Sequence, residues 1–172
     1  MTITYGYAGA ERLDDVEAVW RTLHDHHIAI DHERNASIRE GRQTWELRRS
    51  DFAKALAQPD AFLVLAEDAG GVVGFALVHF RPNENWRVHG DRFGELETLA
   101  VRPDLRGNGV GRELMQHVYE RMRALEVAEL SIVVVERNED ARRFYEREGF
   151  LAWHTTYFGP VPAGTTAPED AG

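Results

Sequence analysis

The chain has 172 residues, 43% of them hydrophobic, and sets 29 acidic against 20 basic side chains for a net charge of −9. That size and composition suit one globular domain with a sizeable core, and the acidic balance speaks against general nucleic-acid binding. The absence of cysteine excludes disulfides, thiolate metal sites and a cysteinyl acyl-enzyme.

The first residues show neither a basic n-region nor an apolar h-region, and no apolar run reaches membrane-spanning length. A cytoplasmic protein with no membrane partner is expected. Residues 2 to 8 predict a short strand with Ile3, Tyr5 and Tyr7 on one face. Leu13 to Ile30 predicts an amphipathic helix, with Leu13, Val16, Val19, Trp20, Leu23 and His27 at helical spacing. Residues 31 to 49 are charged and show no clear period. Ser50 reads as the cap of a helix from Asp51 to Gln58. Ala61 to Glu67 and Val72 to Phe80 are strand-like runs joined through Asp68-Ala69-Gly70-Gly71. A polar loop from 81 to 92 carries Trp86 and His89, and a strand from Phe93 to Val101 ends before Pro103.

The most informative stretch follows: Arg106-Gly107-Asn108-Gly109-Val110-Gly111. Glycines at alternate positions let a backbone turn without side chains in the way. The freed amides and the first amides of the next helix then form an anion nest at a positive helix terminus, suited to a pyrophosphate. That helix is predicted from Val110 to Leu125, with Val110, Leu114, Val118, Met122 and Leu125 on one face. Leu130 to Val135 is a β-branched run of the kind buried on both faces. Asn138 reads as the cap of a further helix that ends near Gly149. Leu151 to Phe158 predicts a last strand, and a Pro-, Gly- and Thr-rich tail follows from 159 to 172.

Residues 95 to 150 resemble the core of the GNAT superfamily of acyl-CoA-dependent N-acyltransferases. Its Arg/Gln-x-x-Gly-x-Gly/Ala loop is matched by Arg106, Gly109 and Gly111, and a second signature by Asn138, Ala141, Phe144, Tyr145, Gly149 and Phe150. The resemblance implies one acetyltransferase domain over 1–158. It also implies an α/β (α+β) fold: a mixed, mostly antiparallel sheet with helices on both faces and splayed central strands. Acetyl-CoA is the implied co-substrate, with no metal. Its pyrophosphate is expected on Arg106, Gly107, Asn108, Gly109, Val110, Gly111 and Arg112. The pantetheine arm is expected along Leu99, Ala100 and Val101, facing Asn138, Ala141, Phe144 and Tyr145. A homodimer is an assembly that the family allows.

The resemblance also implies the remaining roles, and the chemistry says why such groups are wanted. A protonated amine must lose a proton before attacking a thioester, and the departing thiolate needs a hydrogen bond. Tyr145 is the expected acid. Glu95 and Glu97, two apart on one strand, are the candidate bases, and alternation places them on the face of Leu99 and Val101. With no cysteine, direct attack in a ternary complex is expected. His24, His26, His27 and His32 read as helix surface or acceptor-pocket wall rather than a metal site. Asp31, His32, Glu33, Glu40, Trp45, Glu84, Trp86 and Asp91 suit a small cationic amine, with a protein N-terminus or lysine as the alternative acceptor. A non-catalytic acyl-CoA sensor is the competing function.

Overall fold

The structure, a computed structural model, describes residues 2–30, 42–84 and 90–157. Five strands lie in the order β1 (Thr4–Ala8), β2 (Phe62–Asp68), β3 (Gly71–Pro82), β4 (Arg92–Val101) and β5 (Leu130–Ser131). The first three pairings are antiparallel and the last is parallel. Helices α1 (Glu17–Ile30) and α2 (Arg42–Leu56) cover one face, and α3 (Val110–Ala124) and α4 (Glu139–Arg147) cover the other. This is the mixed, mostly antiparallel sheet with helices on both faces that the resemblance implies; the strands that part are β4 and β5, and β5 is the edge of the sheet among the described residues rather than a central strand. No helix among the described residues is long and apolar enough to cross a membrane.

Alternation along β2 and β3 divides the core in two. Leu63, Leu65, Phe75 and Leu77 pack against Leu13, Val16, Val19, Trp20, Trp45 and Phe52. Val64, Ala76, Val78 and Phe80 pack against Val110, Leu114, Met115, Val118 and Met122. Burying each large apolar side chain contributes about 1.5–3 kcal/mol, so both helical layers are held chiefly by this contact.

Four predicted elements differ. A 3₁₀ segment, Ala10–Val16, precedes α1, so the helix starts later than Leu13. Helix α2 begins at Arg42, and Ser50 lies inside it rather than capping it. Its buried stripe runs Trp45, Phe52 and Ala55, with Arg48 occupying the slot between, which hides the period. The predicted strand from Leu130 to Val135 pairs only over Leu130–Ser131, and Val133 is 89% exposed rather than buried on both faces. The predicted last strand forms no ladder over residues 151–157, where Leu151 and Tyr157 are exposed. Composition favours strand there, but the segment pairs with no strand among the described residues. Trp86, His89, residues 31 to 41 with Asp31, His32, Glu33 and Glu40, and residues 158 to 172 fall outside the described residues.

Gly94 sets where β4 and β5 meet. It pairs with Leu130, Glu95 pairs with Ser131, and the ladder ends there. A Cβ on Gly94 would lie 2.8 Å from Met122 Cε, 2.9 Å from its Sδ and 3.0 Å from Leu130 Cδ1. Only a bare backbone lets α3 and β5 both come this close. Gly94→Val is therefore expected to lower stability by about 1–3 kcal/mol in urea unfolding through overpacking, with Gly94→Ala costing less because the methionine end can give.

Candidate active site

Beyond Ser131 the β5 chain leaves β4, and a cleft of about 450 Å³ opens between them. Glu95, Leu96, Glu97, Thr98 and Leu99 form one wall, and residues 132–135 with Asn138, Ala141 and Tyr145 form the other. Trp20, Leu23, His24, His27 and Arg48 close it from the α1–α2 side. The structure thus brings together Glu95, Glu97, Leu99, Asn138, Ala141 and Tyr145 from the predicted set.

The remaining predicted residues gather at the end of β4. Arg106 Nε donates to the carbonyl oxygen of Val101 at 3.1 Å, tying the glycine loop to the strand. A Cβ at Gly111 would sit 3.6 Å from the Phe144 ring and 3.8 Å from Val101 Cγ2, so Val101, Gly111 and Phe144 converge. Gly107 and Gly109 have φ of +78° and +85°, a region that L side chains enter only at a cost of roughly 1–2 kcal/mol. Gly109 is the cap residue of α3 and no side chain caps the helix. The amides of its first turn have no carbonyl one turn earlier to bond. Such a start favours an anion, and the fit to a diphosphate rests on this observation. Ala100 differs from the rest: it packs in the α1–α2 core.

Asn138 caps α4, its side chain accepting from the amide of Ala141 at 3.1 Å, and it is 7% exposed. Its Nδ2 lies 3.5 Å from His27 Nε2, linking α4 to α1. Tyr145 packs edge-on against Phe144 and Phe150, with centroids 5.1 and 5.5 Å away. Burial first, and then the charge of Tyr119, raise its pKa well above the ordinary phenol range, so it remains protonated at neutral pH.

A bulge in β4 rearranges the carboxylates. Leu77 pairs with Thr98 and Val78 with Leu96, leaving Glu97 as the extra residue. A one-residue insertion re-aims the side chains around it. The predicted shared face is therefore broken. Leu99 and Val101 pack toward α3, whereas Glu97 turns toward Arg48 of α2 and His79 of β3. Arg48 Nη1 lies 2.7 Å from Glu97 Oε1, its Nη2 donates to Thr98 Oγ1 at 3.0 Å, and its guanidinium lies over the Phe52 ring. Glu95 is paired with Arg81. One ligand-type atom from each of His79, Glu95 and Glu97 lies within 4.8 Å of the others, though both carboxylates already carry a guanidinium.

Arg48, His79 and Arg81 were not among the sequence candidates. A lone histidine in the apolar run Val72 to Phe80 was the available signal. Trp45 proves to be core, tilted against Trp20 at 5.3 Å and edge-on to Phe52. His24 stacks on Trp20 at 4.9 Å. His27, in the cleft wall, has its pKa lowered to about 4, by burial first and then by charges at His26, His24, Arg106 and Arg48.

Comparisons place these features among known proteins. Residues 19–150 match the Acetyltransferase (GNAT) family. The chain is 33% identical over 133 residues to a mycothiol acetyltransferase of Propionibacterium freudenreichii subsp. shermanii, covering 77% of this chain and 41% of that protein. It therefore spans under half the length of this relative. It is 35% identical over 108 residues to an aminoalkylphosphonate N-acetyltransferase of Salmonella typhimurium, covering 62% of this chain and 67% of that one. The solved structure of the aminoglycoside N-acetyltransferase AAC(6')-Iy in complex with CoA shares its fold, with a TM-score of 0.69 at 15% identity over 94% of this chain and 96% of that one.

The His27 shift has a pH consequence. A histidine whose folded pKa is depressed binds fewer protons than the unfolded chain between about pH 4 and 6.5. Its contribution to stability is complete above that window and is lost as pH falls through it. His27→Gln should flatten the acid-side decline of urea-unfolding stability between pH 4.5 and 6.5 relative to the parent protein, leaving the pH 7.5 to 9 plateau level in both.

Proposed function

Since the chain belongs to the Acetyltransferase (GNAT) family, we propose that it moves an acetyl group from acetyl-CoA to a small amine by direct attack within a ternary complex. The observation that carries this reading is the parted β4–β5 edge, which has an uncapped helix start at one end and Tyr145 and two carboxylates on its walls.

The residues divide the work. First-turn amides of α3 and the turn at Gly107 to Gly109 take the diphosphate of the co-substrate. The pantetheine arm lies along Leu99 to Val101, as an added strand would, opposite Asn138. Glu97 or Glu95 accepts a proton from the ammonium group, directly or through water, and the neutral nitrogen attacks the thioester carbonyl. A main-chain amide at the end of β4, that of Leu99 or Val101, holds the oxyanion. As the carbon–sulfur bond breaks, the Tyr145 hydroxyl gives its proton to the leaving sulfur, and the surplus proton on the former amine nitrogen restores the phenol, directly or through water, as the amide forms. The geometry supports this role: Tyr145 lies in the cleft wall beside Asn138 and Ala141 and is protonated at neutral pH, although burial makes it a weaker acid than an exposed phenol.

The acceptor is a small amine, as with the named aminoalkylphosphonate and aminoglycoside relatives. Its charge requirement is milder than the residue composition suggests. Each cleft carboxylate already holds a guanidinium, so the site is nearly balanced before an ammonium arrives.

An amine panel containing aminoalkylphosphonates, aminoglycosides and amino-acid amides, assayed for free thiol from acetyl-CoA, tests this. Thiol should appear only with both substrates. Tyr145→Phe should lose about 100-fold in kcat, with acetyl-CoA affinity by calorimetry within about twofold of the parent. A silent panel with bound acetyl-CoA would favour a sensor instead, and full activity in Tyr145→Phe would remove the acid from the scheme.

A further inference from the structure

His79 is 6% exposed and sits on β3 directly opposite Glu95, behind the cleft rather than in its wall. Its Nε2 lies 3.3 Å from Glu97 Oε2. Its Nδ1 is buried and has no hydrogen-bond partner among the described residues. Only one neutral tautomer suits that setting. With hydrogen on Nε2, the ring donates to the carboxylate and leaves a single lone pair unpaired. With hydrogen on Nδ1, two acceptors would face each other at 3.3 Å and a buried N–H would be orphaned.

Arg48 holds the other oxygen of the same carboxylate. Glu97 is the extra residue of a bulge, so the strand ladder does not by itself set its direction. We propose that His79 is a positioning residue: its Nε2–H, together with Arg48, clamps both oxygens of Glu97 and aims their remaining lone pairs into the acceptor end of the cleft. The proposal rests on the reading of Glu97 as the group that meets the incoming amine. The clamp joins three elements, α2, β3 and the β4 bulge, and it explains why a histidine is buried in an otherwise apolar run.

The prediction is a coupling. His79→Leu should lower kcat/KM for the best amine of the panel by roughly tenfold or more, as small misplacements of a reacting group do, with acetyl-CoA affinity unchanged. His79→Gln, whose amide can still donate, should recover most of that loss. In a Glu97→Gln background, His79→Leu should add nothing. Independently of turnover, long-range proton–nitrogen spectra of the histidines should show His79 with hydrogen on Nε2, and its signals should move in Glu97→Gln. A hydrogen on Nδ1, additive losses in the double variant, or equal losses in the Leu and Gln variants would overturn the proposal. Full activity in Glu97→Gln would also overturn it. A silent amine panel with the Nε2–H tautomer present would remove acetyl transfer while leaving the clamp standing.

Discussion

The parting of β4 from β5 after two residue pairs is the constraint on which the site depends. A ladder continued past Glu95 would fill the space now lined by Leu96 to Leu99 and residues 132–135. Ending it leaves main-chain donors and acceptors along an edge, a costly arrangement unless something else pairs with them. The surrounding structure holds the edges apart from both sides. Met122 of α3 fits under Gly94 at the point of separation, and Asn138 reaches from α4 to His27 of α1 across the opening. The cleft is thus built into the packing of the sheet, with Tyr145 carried to its wall by the short helix that follows β5.

Legibility in the sequence followed how local each requirement was. The turn at Gly107 and Gly109 could be read because only glycine enters its positive-φ conformation freely. The Asn138 cap could be read because it is a contact three residues long. The stripe of α3 was legible because an amphipathic period survives without knowledge of its partner. The bulge at Glu97 left no mark, since an inserted residue looks like any other until its opposite strand is known. Half of α2 was hidden because Arg48 stands where an apolar residue would have revealed the period. Residues 132–135 and 151–157 misled in the other direction: β-branched and aromatic content reports suitability for a sheet, not whether a neighbour is present.

The same logic explains why the basic partners of the cleft carboxylates escaped notice. Arg48 and Arg81 are ordinary arginines in composition, and their meaning comes from the carboxylates that face them across the fold. The acidic excess of the whole chain likewise says little about the cleft, where opposite charges are matched at close range.

The extra residue in β4 has one more effect, on the placing of negative charge. Without it, Glu97 would continue the row of Leu99 and Val101, on the layer that leads to the glycine loop. Instead it sits with Arg48 and His79 on the opposite side of the sheet, where the buried aromatic layer begins. A polyanion seated at the start of α3 would then be separated from Glu97 by the thickness of the sheet, so that this one carboxylate would add little to the repulsion it meets.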